Sequence, residues 1–172
     1  MSPVLAACAA AVKLTSRGPV LYRSMRPGVH GTIFACLKFR TMYTGAEEDQ
    51  EDLEHRNEAD GPLFKIRDDP RVTPVGRFLR RYSLDELPQL WNVVRGEMAL
   101  VGPRPERPEF VGLLAQEIPF FEPRHLIRPG VTGWAQIYAP YGASVDDAAH
   151  KLSYDLYYLK HACVTTDLGI VL

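Results

Sequence analysis

Residues 80–92 constrain the fold most, because they set two adjacent carboxylates between a pair of arginines and an apolar helical pattern. The stretch reads Arg80-Arg81-Tyr82-Ser83-Leu84-Asp85-Glu86-Leu87-Pro88-Gln89-Leu90-Trp91-Asn92. Ser83 and Glu86 match the S-x-x-E capping box, which predicts a helix that begins at Ser83. Pro88 opposes this prediction, because an interior proline removes a backbone hydrogen bond. Either the helix starts at Ser83 and bends at Pro88, or Asp85 and Glu86 lie in a turn before a helix that starts at Pro88.

Both alternatives put the two carboxylates at or near a helix N-terminus, where the helix dipole favours their ionised form. That form suits a nucleophile or a metal ligand. A further candidate is Arg104, because the prolines on both sides of it stiffen the backbone and less freedom is lost when its guanidinium binds a phosphate. Ordinary structure gives the same patterns, namely a capped surface helix and a proline-rich surface turn.

The composition is that of a globular protein, with 46% hydrophobic and 24% charged residues among 172. This length suffices for one domain with a substantial core. The net charge of −1 argues against a general nucleic-acid binder, which usually carries a large positive excess. The charges are segregated, however, with acidic residues in 46–60 and basic residues in 65–81. Anionic substrates and lipid headgroups therefore remain compatible with the sequence.

The cysteines Cys8, Cys36 and Cys163 lie far apart and match no metal-binding or disulfide spacing. We predict that they are reduced core thiols in a cytosolic setting. The same spacing argument predicts that the chain has no zinc site.

The first half of the chain predicts a β-hairpin. Its strands are expected at 20–23 and 32–39, joined by a turn at 27–31. Lys38 and Arg40 would share one face, either as a solvated surface or as half of an anion pocket. The acidic residues 44–60 are expected to form a mobile loop, a loose helix or a lid, which Gly61-Pro62 ends.

The sequence patterns of the remaining chain predict mainly helices. A helix is predicted from Thr73, with Pro74 at its first position, and another from Ser144 to Lys160, with Ser144 as its cap. Between them the pattern indicates a buried strand at 98–101, a helix at 106–117 and a glycine-rich connector at 125–136. These elements predict an α+β fold, a compact single domain of amphipathic helices with a small hairpin or sheet.

The N-terminus is apolar from residue 1 to residue 12, which is shorter than the roughly 20 residues that span a bilayer. Two interpretations stay open for it. It is either a short core helix with Pro3 in its first turn or the second half of a membrane-embedded element. The tyrosine-rich helix at 144–160 likewise suits either a core or a membrane interface.

Six segments resemble, in their order, those of the bacterial sugar transferases, which are monotopic phosphoglycosyl transferases that begin the assembly of surface glycans. The matching segments are KLTSRGPV at 13–20, KFRTM at 38–42, VGRFLR at 75–80, SLDELPQLWN at 83–92, VGPRP at 101–105 and RPGVTGW at 128–134. Each segment alone is a weak signal, but the ordered set covers most of the chain and is specific.

The resemblance implies transfer of a sugar-1-phosphate from a UDP-sugar to polyprenyl (undecaprenyl) phosphate, with release of UMP. This would be the first membrane step of exopolysaccharide, O-antigen or capsule synthesis, at the cytoplasmic face of the bacterial inner membrane. The family's Asp-Glu dyad maps onto Asp85 and Glu86. Asp85 would be the nucleophile that carries the phosphosugar, and Glu86 would bind Mg²⁺. Lys38, Arg80 and Arg104 would bind the phosphates.

The resemblance also implies a re-entrant membrane helix that is broken near a Ser-Pro pair. Ser2-Pro3 matches this break, so we expect residues 1–14 to be the remnant of the anchor and residues 15–172 to be the catalytic domain. Residues 141–147 look like those of family members linked to exopolysaccharide synthesis. A non-catalytic module that binds a membrane surface or a partner is the alternative, and the sequence leaves open the sugar and a homo-oligomeric state.

Overall fold

The computed structural model describes residues 2–58, 64, 66–139 and 144–172. It combines helices with two two-stranded sheets, so the predicted α+β class is confirmed. Within the described ranges no helix has the length and apolar character needed to cross a membrane. The predicted break at Gly61-Pro62 and the segment 141–143 lie outside the described residues.

Residue contacts divide the chain into two compact units. Unit 1 comprises Met1–Ser24, Leu37–Ala59 and Phe64–Gln89. Unit 2 comprises Met25–Cys36, Asp60–Leu63 and Leu90–Leu172.

The predicted hairpin is confirmed. Strand β1 (Leu21–Pro27) and strand β2 (Ile33–Phe39) form a two-stranded sheet, and β1 extends four residues beyond its predicted end. The Gly28 N–H donates to the Thr32 carbonyl at 2.7 Å and closes the connecting turn. Lys38 lies at the end of β2, three positions before Thr41.

The core of unit 1 lies between two helices. Helix α1 (Pro3–Thr15) has Pro3 in its first turn and contacts helix α2 (Pro74–Arg81). The buried apolar side chains of this core are Cys8, Val12, Phe39 and Leu79. Cys8 and Val12 are the buried residues of α1, and both interpretations of the N-terminus stay predictions. The predicted start of α2 is also confirmed, because Thr73 accepts a hydrogen bond from the Gly76 N–H at 2.9 Å.

Gly76 lets α2 lie directly against the residues that follow β2. A Cβ at this position would overlap the backbone carbonyl of Thr41, so only glycine permits the approach. The Thr73 N–H donates to the same carbonyl at 2.9 Å. The first turn of α2 is therefore fixed against Thr41, and Arg80 follows one turn later.

The acidic segment contains a 3-10 helix over Glu48–Arg56, as the loose-helix alternative predicted. A buried ion pair holds the chain just before this helix. The Arg71 guanidinium donates to Asp69 at 2.7 Å and to the Ala46 carbonyl at 2.9 Å. Both charged side chains are only 8% exposed.

The chain from residue 89 onward is mainly helical. Its elements are α3 (Gln89–Val94), β3 (Ala99–Val101), α4 (Pro108–Glu117), β4 (Gly130–Thr132), α5 (Trp134–Tyr138), α6 (Val145–His161) and α7 (Val164–Val171). The predicted strand at 98–101 and the helices at 106–117 and 144–160 are confirmed. Ser144 caps α6 as expected, because it accepts from the Asp147 N–H at 3.1 Å and Asp147 accepts from the Ser144 N–H at 3.0 Å.

The prediction of a connector at 125–136 was wrong. This segment contains β4, which pairs in parallel with β3, and the short helix α5. Its glycines permit a close backbone approach, because a Cβ on Gly130 or Gly133 would overlap the backbone of Gly102. Glycines that resembled loop signals in the sequence therefore mark a close approach of the backbone beside the paired strands β3 and β4.

Cys163 also departs from its prediction. Cys8 and Cys36 are buried, as expected, but Cys163 is exposed and stands immediately before α7. The reason is its position at the start of a helix rather than on a helix face that packs into the core.

Candidate active site

The structure decides between the two alternatives for residues 83–92. Ser83 has φ 54° and ψ 21°, the left-handed conformation that ends helices, and its side chain makes no capping bond. The capping-box prediction was therefore wrong. Asp85 and Glu86 lie in a 3-10 turn over Leu84–Glu86, and α3 begins at Gln89, one residue after Pro88. The alternative of a turn before the helix is correct, because a proline just ahead of a helix costs no hydrogen bond.

Glu86 pairs with the lysine of β2 instead of capping a helix. The Lys38 Nζ lies 2.8 Å from Glu86 Oε1. The two side chains are 20% and 16% exposed, so both are partly buried and both keep some contact with solvent. The pair joins residues that are far apart in sequence and holds the lysine next to the carboxylate turn.

Asp85 lies in a mixed electrostatic environment. Partial burial raises its pKa most, and the neighbouring Glu86 charge raises it further. The charges of Lys38 and Arg80 and the residue's own backbone N–H act in the opposite direction. Burial thus disfavours the ionised form of Asp85, whereas the two cations favour it.

Arg80 comes from the last turn of α2, and its Nε donates to Thr41 Oγ1 at 2.9 Å. The residue as a whole is exposed, yet the protein atoms around its guanidinium lower its pKa, while Asp85 raises it. A guanidinium stays charged under all such conditions and carries five N–H donors, of which Thr41 takes one. Arg80 is therefore a fixed cation beside Asp85.

Lys38 and Arg40, predicted to share one face, have different partners. Arg40 is buried and donates to the backbone carbonyls of Pro19 at 2.6 Å and Ser16 at 3.0 Å. Its donors are used inside unit 1, and Lys38 alone of the two pairs with the carboxylate turn.

Four of the five predicted site residues lie together in unit 1, namely Lys38, Arg80, Asp85 and Glu86. Arg104 belongs to unit 2, so its place in the phosphate pocket stays a prediction. Two residues that the sequence did not single out support the site. Thr41 orients Arg80, and Gly76 brings α2 against Thr41. Both stand inside the quoted motifs, but neither residue type suggests such a role by itself.

The carboxylates fit one particular kind of metal site. Over the described ranges, no group of three or more His, Cys, Asp or Glu side chains is arranged to hold a metal ion. Mg²⁺ in nucleotide-dependent sites uses one or two carboxylates plus substrate phosphates and water. Glu86, the predicted metal ligand, is a carboxylate of that kind, whereas an all-protein metal cage would need more ligands.

Comparison with known proteins identifies relatives along the whole chain. A family model described as bacterial sugar transferase matches residues 1–172. A UDP-N-acetylgalactosamine-undecaprenyl-phosphate N-acetylgalactosaminephosphotransferase of Aeromonas hydrophila is 41% identical over 99% of this chain and 38% of its own length. An undecaprenyl-phosphate glucose phosphotransferase of Komagataeibacter xylinus is 43% identical over 99% of this chain and 31% of its own.

A UDP-glucose:undecaprenyl-phosphate glucose-1-phosphate transferase of Escherichia coli strain K12 is 40% identical over 99% of this chain and 35% of its own length. The chain thus spans about a third of the length of these three relatives. Because the family model covers every residue and the relatives align along nearly all of it, the chain belongs to the bacterial sugar transferase family.

Proposed function

We propose that this chain transfers a sugar-1-phosphate from a UDP-sugar to undecaprenyl phosphate, through a phosphosugar held on Asp85. The observation that carries the proposal is the setting of Asp85, a half-buried carboxylate with Lys38, Arg80 and Glu86 acting on it. The names of the relatives supply the donor and acceptor classes.

In the first step an Asp85 carboxylate oxygen attacks the β-phosphorus of the UDP-sugar. The new bond joins this oxygen to phosphorus, and the bond from phosphorus to the oxygen of the α-phosphate breaks, so UMP leaves with the electron pair. Lys38 and Arg80 favour the ionised, nucleophilic form of Asp85 and offset the charge on the phosphoryl oxygens. Arg104 is the third residue that we expect to bind phosphate.

In the second step a phosphate oxygen of undecaprenyl phosphate attacks the same phosphorus. The bond between phosphorus and Asp85 breaks, the carboxylate is regenerated, and the product is an undecaprenyl diphosphate sugar. Dividing the transfer into two displacements replaces one difficult reaction by two easier ones. The raised pKa of Asp85 favours the first step, because a more basic carboxylate is a stronger nucleophile.

Glu86 is the residue that we expect to hold Mg²⁺, which when bound would neutralise part of the charge on the donor diphosphate. The Lys38 Nζ, 2.8 Å from Glu86 Oε1, would help to orient this carboxylate. Because the acceptor is a lipid, we place the reaction at the cytoplasmic face of the bacterial inner membrane, with the chain against the lipid of that leaflet. A homo-oligomeric state is compatible with this arrangement.

The test is to incubate the chain with Mg²⁺ and a panel of UDP-sugars, including UDP-glucose, UDP-galactose and UDP-N-acetylgalactosamine. Intact-protein mass spectrometry should detect one added phosphosugar, peptide mapping should locate it on Asp85, and UMP should be released in equal amount. Asp52→Asn is the matched control, because Asp52 is an exposed carboxylate of the same unit.

The nucleophile assignment fails if no sugar gives an adduct and Asp85→Asn releases as much UMP as the parent. Binding to anionic liposomes without any UMP release would instead support the alternative of a non-catalytic membrane-surface module.

A further inference from the structure

Thr41 forms hydrogen bonds with both ends of helix α2. Its backbone carbonyl accepts from the Thr73 N–H at 2.9 Å and from the Thr73 hydroxyl at 3.3 Å, just before the first turn of the helix. Its side-chain hydroxyl accepts from Arg80 Nε at 2.9 Å, in the last turn. One buried residue of unit 1 thus holds the start of α2 through its backbone and the arginine near the end of α2 through its side chain.

The start of α2 lies closely against the Thr41 backbone. The Thr73 hydroxyl that donates to Thr41 also accepts from the Gly76 N–H at 2.9 Å, so one group joins the helix cap to the segment after β2. A Cβ on Gly76 would overlap the Thr41 carbonyl, which leaves no room for the two backbones to approach further. Arg80 therefore extends from a fixed backbone, and its side-chain torsions set the direction of its guanidinium.

Charge alone does not set that direction. Burial lowers the pKa of Arg80 most, the carboxylates of Asp85 and then Asp69 raise it, and the charge of Arg71 lowers it. Two carboxylates thus attract the same guanidinium, and the attraction between charges depends on their separation rather than on orientation. Asp69 is already bound by Arg71, whose Nη2 and Nε lie 2.7 Å and 3.0 Å from its two carboxylate oxygens. Arg71 therefore neutralises the competing carboxylate without orienting Arg80.

The hydrogen bond from Arg80 to Thr41 supplies the direction. A guanidinium is planar and rigid, so a bond at Nε fixes where both terminal nitrogens point. An arginine binds a phosphate with two parallel bonds, and such a pair of bonds needs a fixed orientation of the donors. Because Thr41 takes Nε, a phosphate is met by the two terminal nitrogens rather than by Nε and one of them.

We propose that Thr41 is a positioning residue, whose hydroxyl directs the terminal nitrogens of Arg80 to the donor diphosphate beside Asp85. The inference rests on the proposed function, in which Arg80 binds those phosphates. A side chain that is oriented before the ligand arrives loses less conformational freedom on binding. Thr41 thereby contributes to affinity without contacting the donor.

The first experiment is a double-mutant cycle on the full 172-residue chain with UDP and Mg²⁺. The variants are Thr41→Val, Arg80→Met and their combination, and calorimetry measures the dissociation constant of UDP. Valine has the shape of threonine without its hydroxyl, so the backbone carbonyl at position 41 keeps its bonds to Thr73. We expect Arg80→Met to weaken UDP binding roughly 10- to 100-fold and Thr41→Val about fivefold. The double variant should bind UDP as weakly as Arg80→Met alone, because Thr41 acts through Arg80.

Two further variants separate positioning from a general effect of losing a threonine. Thr41→Ser keeps the hydroxyl and should bind UDP within about threefold of the parent. Thr44→Val is the matched control, because the Thr44 hydroxyl belongs to the same unit and donates to the Arg17 carbonyl at 2.8 Å. This control variant should leave UDP affinity unchanged.

The second experiment tests the hydrogen bond without any ligand. In ¹⁵N-labelled protein, the Nε–Hε signal that disappears from the spectrum of Arg80→Met belongs to Arg80. We expect this proton to be protected from exchange with water in the parent and in Thr41→Ser, and Thr41→Val should remove the protection. Backbone amide signals away from position 41 should stay in place in Thr41→Val, which separates the loss of one bond from a loss of structure.

Each outcome decides a separate question. The inference is overturned if Thr41→Val weakens UDP binding equally in the parent and in Arg80→Met, if it has no effect, or if the parent does not bind UDP. It is also overturned if Thr41→Ser binds UDP as weakly as Thr41→Val, or if the Arg80 proton exchanges equally fast in the parent and in Thr41→Val. Non-additive UDP binding without any adduct on Asp85 would support the positioning role and contradict the covalent mechanism. An adduct with additive UDP binding would do the reverse.

Discussion

Two ion pairs in this chain have the same length but differ in their exposure to solvent. Lys38–Glu86 and Arg124–Asp155 both join their charged atoms at 2.8 Å. The first pair has side chains that are 20% and 16% exposed, and the second has side chains that are 7% and 3% exposed. A sealed pair cannot exchange its partners, whereas an accessible one can share its charges with an arriving phosphate or metal. Access to solvent, rather than distance, therefore separates the candidate catalytic pair from the structural one.

The largest predicted effect comes from breaking the sealed pair. Arg124→Met would leave the Asp155 carboxylate buried without its partner. We expect the free energy of unfolding at pH 8 to fall by about 3 kcal/mol, as for other buried pairs that lose one member. Denaturant unfolding monitored by circular dichroism measures this loss.

The matched control replaces both members of the sealed pair. Arg124→Met combined with Asp155→Leu leaves no buried charge behind, so most of the lost stability should return. A double variant that is no more stable than Arg124→Met would show that packing, and not the uncompensated charge, accounts for the loss.

The second effect, about 2 kcal/mol, is the pH dependence of the sealed pair. Burial, which outweighs the favourable Arg124 charge, raises the pKa of Asp155 to about 6. The unfolded chain has an ordinary aspartate pKa near 4. Between these values the folded protein binds more protons than the unfolded one, so the Asp155 contribution to stability is fully present below pH 4 and is lost as the pH rises through about 6.

The measurement for this second effect is the difference in unfolding free energy between the parent and Asp155→Asn from pH 4 to pH 8. Subtracting the variant removes the contributions of other groups, such as His125, whose pKa burial lowers. A difference that stays constant over this range would contradict the raised pKa.

Local signals explain what the sequence could predict. The hairpin, the Thr73 start of α2 and the Ser144 cap of α6 each depend on a few neighbouring residues, and all three are confirmed. The capping box at Ser83 was equally local and was wrong, because the end of α2 places Ser83 in the left-handed conformation. A local pattern therefore predicts structure only where no neighbouring element competes for the same residue.

Contacts between distant residues could not be read from the sequence. Lys38 and Glu86 are 48 positions apart, and nothing in either motif states that they pair. Strands β3 and β4 pair across a helix, and the glycines that allow it resembled loop residues. The motifs predicted which residue types would be needed, and tertiary packing determined which of them meet.

A smaller effect, about 1 kcal/mol, is predicted for the accessible pair. Lys38→Met should lower the free energy of unfolding by no more than this amount, because water replaces the lost partner of Glu86. The rate of adduct formation on Asp85 should fall roughly 100-fold, since a cation that offsets phosphoryl charge is removed. Parallel denaturant and mass-spectrometric measurements on one preparation test both values. Equal losses of stability in Lys38→Met and Arg124→Met would abolish the distinction between the two pairs.

The smallest predicted effect has the opposite sign and involves Asp85 itself. Because burial and Glu86 raise the pKa of Asp85, its ionised form costs stability at neutral pH. Asp85→Asn removes this charge at constant shape and should stabilise the chain by roughly 0.5 kcal/mol after allowance for solvent screening. The same substitution should abolish the phosphosugar adduct. Thermal unfolding at pH 7.5 and mass spectrometry together measure the two changes, and Asp52→Asn should alter neither. A destabilised Asp85→Asn would mean that the Asp85 carboxylate makes net favourable contacts in the folded chain, and it would contradict the expected cost of its charge.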